Sequence, residues 1–251
     1  MRYDSWFDSD ENRTLMAICT RKLIRNIGIG GIIWGVINMG LGAAAIPVVE
    51  LNAGILILGV LMLGTGVQAL RSPTLGVLLT ETIVAVLLFL WNLGISILNL
   101  RAGEEFVPRG LVFPLIIAVV SANHYRKLGS LRDRIASVTR EKIEAAQRIC
   151  KAILKKKLKD ESLIVQTADR KCRAQLMDDQ AFFIQRDLLR AFVAKRDAVL
   201  SAVAQPEAKS WALTFNHPLG KLKYRFDKNN TGKLRTWASG EGTAITPPPQ
   251  P

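Results

Sequence analysis

The residues best placed to do chemistry in this chain lie inside an apolar run. Glu81 is the one acid within its long hydrophobic stretches, and at about 100° per residue it shares a helical stripe roughly 80° wide with Ala85, Leu88, Asn92, Ser96 and Asn99. An ionisable group that faces lipid costs several kcal/mol, so such a stripe must face protein or water. Glu81, Asn92, Ser96 and Asn99, with Asn38 in the first stretch, form the candidate intramembrane polar site. Its chemistry would be that of a proton or cation site, or of polar glue between helices.

Other chemistries find no constellation. Asp8, Asp10, Asn12 and Thr14 match the early ligands of a calcium loop, but Arg13 replaces the turn glycine and Cys19 the terminal acid. Asp227, Asn229, Thr231 and Gly232 match better, yet Ala238 stands where the bidentate acid belongs. The two histidines, His124 and His217, have no cysteine or acid at ligand spacing. With no nucleophile beside a base and no paired acids, the chain is expected not to be an enzyme, and neither cofactor nor metal is expected.

Small residues mark where helices should meet. Gly31, Gly35 and Gly42 share a face with Asn38, and Gly59 and Gly66 share one with Asn52, Ile55 and Met62. The Gly31-x-x-x-Gly35 spacing lets two backbones approach closely. Tight packing of the first and second spans is the expectation.

These residues need long helices to hold them. Apolar stretches at 27–48, 51–70 and 75–98 reach the 20 or so residues that cross about 30 Å of hydrocarbon, and a fourth at 110–126 does so only by including its polar exit. The predicted fold class is a membrane all-α four-helix bundle, then a helical connector, then a small β-rich α+β cytoplasmic domain. The divisions are an N-terminal segment at 1–26, four spans within 27–126, a basic connecting helix at 127–160, the β-rich domain at 161–239, and a proline-rich tail at 240–251.

Within the soluble half, Leu222, Tyr224 and Phe226 alternate with Lys221, Lys223 and Arg225, a strand with one apolar and one basic face. The turn-like Asp227–Gly232 segment then predicts a hairpin returning through Leu234–Trp237, and Leu213 and Phe215 predict another strand turned at Asn216–Gly220. In residues 180–203, Leu188, Leu189, Phe192, Val199, Leu200 and Val203 fit a helical period after a start at Asp178 or Asp179, and Phe182, Phe183 and Ile184 fit a strand equally well. The connector shows a heptad-like seam of Leu131, Ile135, Val138, Ala145, Ile149 and Ala152. Leu15, Cys19, Leu23 and Ile27 recur every four residues, which suits either an interfacial helix or a helix packed on the soluble domain.

Charge sets the expected orientation. Residues 127–251 carry 25 Lys/Arg against 13 Asp/Glu, and hold almost all of the net charge of +13. Arg21, Lys22 and Arg25 precede the first span, Arg71 follows the second, and Arg126 and Lys127 follow the fourth, which puts both termini in the cytoplasm of a multi-pass cell-membrane protein. Cys19, Cys150 and Cys172 then lie in a reducing compartment. Ala43–Ala45 also fits a signal-peptidase site, the competing reading of the first span, although the segment before it is long and acidic.

The expected partners are the bilayer itself, anionic lipid headgroups at Lys155, Lys156, Lys157 and Lys159, and a second copy of the chain. Nucleic acid is not expected, because no recognition motif accompanies the basic residues. The expected function is regulatory or scaffolding, through binding of a partner or an anionic lipid surface by the basic domain. The alternative is a small channel or transporter subunit that uses the polar stripe of the third span. The layout, four spans and then a basic β-rich module, resembles bacterial membrane proteins that carry a pleckstrin-homology-like domain, in arrangement rather than in any run of residues.

Overall fold

Ser9 begins the first helix by accepting a hydrogen bond from the Asn12 amide, at 3.1 Å. From there α1 (Asp10–Ala43) runs unbroken for 34 residues. It is followed by α2 (Val49–Arg71), α3 (Leu75–Arg101), α4 (Arg109–Gly129), α5 (Arg132–Ala136) and α6 (Arg140–Leu154). The remaining elements are β1 (Ile164–Gln166), β2 (Cys172–Leu176), β3 (Gln180–Gln185), β4 (Ala191–Lys195), α7 (Arg196–Ala204), β5 (Ala212–His217), β6 (Gly220–Arg225) and α8 (Lys228–Ser239). This computed structural model describes residues 9–43, 49–103, 109–155, 164–204, 212–218 and 220–240.

The chain is mostly helical with a small antiparallel sheet region, and it divides into two units. The helical unit takes Thr20–Arg132, and the soluble unit takes residues 1–19 together with Asp133–Pro251. Three helices, α1, α2 and α3, are long and apolar enough to cross a membrane. Their outer faces carry Ile33, Ile57, Ile83 and Leu90, each about half exposed. Apolar surface on that scale marks a membrane-associated protein. In α4 the apolar run gives way to Ser121, Asn123 and His124, although Val112, Phe113, Ile116 and Val119 are exposed in the same manner. Pro114 lies in the interior of α4 rather than in its first turn.

In the soluble unit the four-stranded sheet has the order β1-β2-β3-β4, every pair antiparallel, and β5 and β6 form a separate hairpin. A bridge between Thr167 and Phe226 ties that hairpin to the end of β1. One face of the sheet builds the core from Ala174, Leu176, Phe183 and Phe192, closed by Phe215, Tyr224, Leu234 and Trp237. Phe183 and Phe192 stack at 5.0 Å between ring centres. The other face is also buried, at Phe182, Ile184, Ala191 and Val193.

Start and stop chemistry explains where the elements depart from expectation. The connector is not one helix: α4 runs on to Gly129, a short α5 follows, and Thr139 opens α6 afresh by accepting from the Lys142 amide. The buried seam of α6 is Ile143, Cys150 and Ile153, whereas Ile149 of the expected seam is 54% exposed. A break before α6 shifts the phase of every later residue, so a heptad counted through it selects the wrong face. Leu234–Trp237 belongs to α8, not to a strand. Asp227, read as a hairpin turn, caps that helix by accepting from the Asn230 amide at 2.7 Å, and Gly240 ends it at φ 78°. Turns and helix N-caps favour the same short polar residues, which is why the segment read as a turn. Over residues 180–203 the strand reading holds for β3, and Phe192, counted into the helical period, belongs to β4; the helix α7 starts only at Arg196.

Of the two readings of the repeat that begins at Leu15, a helix packed on the soluble unit holds for the first turns of α1. Residues 10–19 of α1 are a structural part of the soluble unit, with Leu15, Met16, Ala17, Ile18 and Cys19 each no more than 5% exposed. Asn12 clamps the edge strand β4 from both sides of one residue. Its Oδ1 accepts from the Val193 amide at 2.8 Å, and its Nδ2 donates to the Val193 carbonyl at 3.2 Å. The amide side chain thus supplies the partner that a fifth strand would have given this edge. Lys142 of α6 donates to Asp10 at 3.2 Å, and Arg173 of β2 donates to the Ile153 carbonyl at the end of α6 at 3.3 Å.

Asn12→Ala leaves the amide and carbonyl of Val193 without partners at a half-buried edge. It should cost the soluble unit about 1–3 kcal/mol. Thermal unfolding and hydrogen exchange should show a lower melting temperature and faster exchange at the Val193 amide.

Candidate functional site

Glu81 lies on the inward face of α3, which buries Leu78, Glu81, Val84, Ala85, Leu88 and Ser96. That face meets α1 at Gly31. A Cβ placed on Gly31 would collide with Oε1 of Glu81, so the missing side chain of α1 is what makes room for the carboxyl group. Around it Met62 of α2, Val84, Ala85 and Leu88 of α3 and Ala118 of α4 form one apolar cluster, with Trp34 of α1 packed against it. Glu81 is fully buried, and neither of its oxygens has a hydrogen-bond partner among the described residues.

Ser96 and Asn38 bond within their own helices. Ser96 donates to the Asn92 carbonyl one turn back at 2.8 Å, and Asn38 donates to the Trp34 carbonyl at 2.8 Å. Asn92 and Asn99 are half-buried. The structure therefore places Glu81 and Ser96 on the buried face, but Ala85 and Leu88 separate Glu81 from the asparagines with apolar side chains. His124, at the end of α4, has Nδ1 2.7 Å from its own helix's Val120 carbonyl.

Helix packing uses four glycines in two pairs. A Cβ on Gly35 would stand 2.8 Å from the Gly59 carbonyl oxygen, and one on Gly66 would stand 2.6 Å from that of Gly28. Residue numbers fall on α2 as they rise on α1, so these helices run antiparallel with the glycine pairs seven residues apart. Gly28, which the small-residue reading left out, is one of the four, and its seven-residue spacing from Gly35 was the available signal. Gly31 serves Glu81 instead, and Gly42 is half-buried near the end of α1.

The soluble unit presents a second candidate surface. Along β6, Lys221, Lys223 and Arg225 are exposed while Tyr224 and Phe226 are buried, which spaces the cations about 7 Å apart on one face. Their cross-strand partners on β5 are Asn216, Thr214 and Ala212, none of them acidic. Asp169, in the turn after β1, is engaged by the Thr167 hydroxyl and the Lys171 amide, which hold its carboxyl below the usual range. Of the expected lipid-contacting lysines, Lys155 is exposed at the end of α6; Lys156, Lys157 and Lys159 lie outside the described residues.

Of the calcium-loop acids, Asp8 lies outside the described residues, and Asp10 and Asp227 are both engaged. Asp10 pairs with Arg13 and Lys142, and Asp227 caps α8. No metal-binding group of His, Cys, Asp and Glu occurs among the described residues. His217 is buried against Phe192 in the aromatic core, and desolvation, helped by Arg190, pushes its pKa down to about 3. Burial likewise raises the Cys172 thiol to about 12, far from a nucleophile's range. Compared with known proteins, the chain matches no family model, no curated protein and no solved structure. Its function has to be argued from these residues.

Glycine substitutions should separate the two uses of the small residues. Gly35→Ala and Gly66→Ala press a methyl group into the backbone of the facing helix and should destabilise the helical unit by about 1–3 kcal/mol. Gly30→Ala meets nothing within 4 Å and should be neutral or stabilising by up to about 1 kcal/mol. Thermal melting in detergent reads the difference.

Proposed function

We propose that this is a non-enzymatic, four-pass membrane protein with both termini in the cytoplasm, whose soluble unit docks on anionic lipid headgroups in a regulatory or scaffolding role. The observation that carries this reading is the exposed cationic face of β6. Three cations project from one side of a strand whose other side is core, so their direction is set by the fold and not by flexible linkers. A membrane-associated chain has a phosphate-rich surface within reach, and each Lys or Arg near such a surface contributes about 1 kcal/mol.

The loop charges support the four-pass arrangement, since the basic residues fall on alternate sides of four spans. α4 would reach the interface through its polar end, with Arg126 and Lys127 among the headgroups. The conducting alternative has less support. Apart from Glu81, the polar groups of the stripe whose bonds are known return to their own helix.

The test uses the full chain in nanodiscs, with the acetylation of Lys221 and Lys223 by a water-soluble amine reagent followed by mass spectrometry. Discs of phosphatidylcholine with about a third phosphatidylserine should slow both sites several-fold relative to phosphatidylcholine alone, and raised salt should restore the rate. Equal rates in both discs would remove the headgroup role.

A further inference from the structure

Three polar groups of the helical unit are buried and have no hydrogen-bond partner among the described residues. They are the Glu81 carboxyl of α3, Ser121 Oγ of α4 and Trp34 Nε1 of α1, and Glu81 and Ser121 have no exposed surface at all. Each belongs to the same packed region. Trp34 and Ala118 line the apolar cluster with Ala85 and Leu88, Ser121 follows Ala118 by three residues on α4, and Gly31, which receives the carboxyl, precedes Trp34 by three on α1. Residues three apart share a helix face. The result is a carboxyl group seated at Gly31 beside an apolar cluster, with an unsatisfied donor on each of the two helices, α1 and α4, that contribute to that cluster.

An ionised carboxylate in this place would have no counter-charge. On α1 the nearest cations are Arg25, Lys22 and Arg21, which stand six, nine and ten residues before Gly31. On α2 Arg71 stands nine residues past Met62 and is exposed. On α4 His124 lies against the carbonyl of Val120, and Arg126 and Lys127 are exposed. On α3 itself Arg101 sits at the far end of the helix, and Thr82 donates to the Leu78 carbonyl. None of them pairs with Glu81.

We infer that Glu81 is a reversible proton-binding site, carried as the neutral acid within the helical unit, with Ser121 and Trp34 as the groups that answer the carboxylate when the proton leaves. The ligand is a proton rather than a metal cation. One carboxylate among Met62, Ala85 and Leu88 supplies too few oxygens to replace a cation's hydration shell, whereas a proton needs a single oxygen. Protonation, COO⁻ plus H⁺ giving COOH, removes the charge without further ligands, and the proton comes from solvent. Gly31 makes the site specific, because any side chain there would occupy the space of the carboxyl group.

The experiment applies a hydrophobic carbodiimide to the full chain in nanodiscs, since such reagents enter the bilayer and add to a protonated carboxyl group to give a stable acylurea. Mass spectrometry of wild type and Glu81→Gln should show one adduct at Glu81, absent from the variant, whose yield falls as pH rises and is unchanged by sodium at constant pH. Protection by sodium would assign a cation site and overturn the proton. A yield that does not vary with pH would overturn reversible binding. A second readout does not depend on reagent entry: the infrared difference spectrum of wild type minus Glu81→Gln should contain the carbonyl band of a protonated acid at neutral pH. A carboxylate band in its place would refute the inference, whatever the labelling shows.

Discussion

One unbroken helix has to satisfy two solvents. Over residues 10–19 α1 is a core element of a soluble fold, and from about residue 27 it is an apolar helix whose outer face, at Ile29, Ile33, Val36 and Leu41, stays exposed. No turn or proline intervenes to let the two halves be designed separately. The composition changes along the helix accordingly. Leu15 to Cys19 is buried whatever the direction of the side chain, as in a helix surrounded by protein, while Gly28, Gly31 and Gly35 give the later part a groove for its neighbours. Arg21, Lys22 and Arg25 mark the transition.

This constraint explains how the soluble sheet can be buried on both faces. Phe183 and Phe192 point into the aromatic core, and Ile184 and Val193 point away from it, yet both sets are buried. A sheet from residues 164–225 alone would leave the second set in water, and would leave β4 as an open edge. Asn12 and Cys19 of α1 meet that edge at Val193 and Ala191, and α6 is fastened to β2 through Arg173. The N-terminal helix is thus a distant piece of sequence that completes the sheet.

What could be read in the sequence follows the range of the interactions. The apolar helices, the inward stripe of α3 and the alternation of β6 depend on periodicities of two or 3.6 residues, and these are visible locally. The pairing of α1 with α2 through glycines was legible too, except that Gly28 does the work expected of Gly31. What could not be read depends on partners far along the chain. The repeat of Leu15 and Cys19 fits an interfacial helix and a packed one equally, and only β4, some 180 residues later, decides between them. The strand expected at Leu234–Trp237 failed for a different reason: Asp227 and its polar neighbours serve turns and helix caps equally well, and only the packing of Leu234 and Trp237 on the core decides between them.

The claim that residues 10–19 complete the soluble unit is tested most directly by deleting residues 1–19 from the full chain and digesting the reconstituted protein with trypsin. With the second face and the β4 edge uncovered, cleavage after Arg186 and Lys195 should accelerate by at least about tenfold, the factor expected for a loss of 1.4 kcal/mol or more in opening free energy, while α2 and α3 stay intact. Cleavage of the truncated and full-length chains at the same rate would contradict the account, because it would mean that the sheet is complete without the helix.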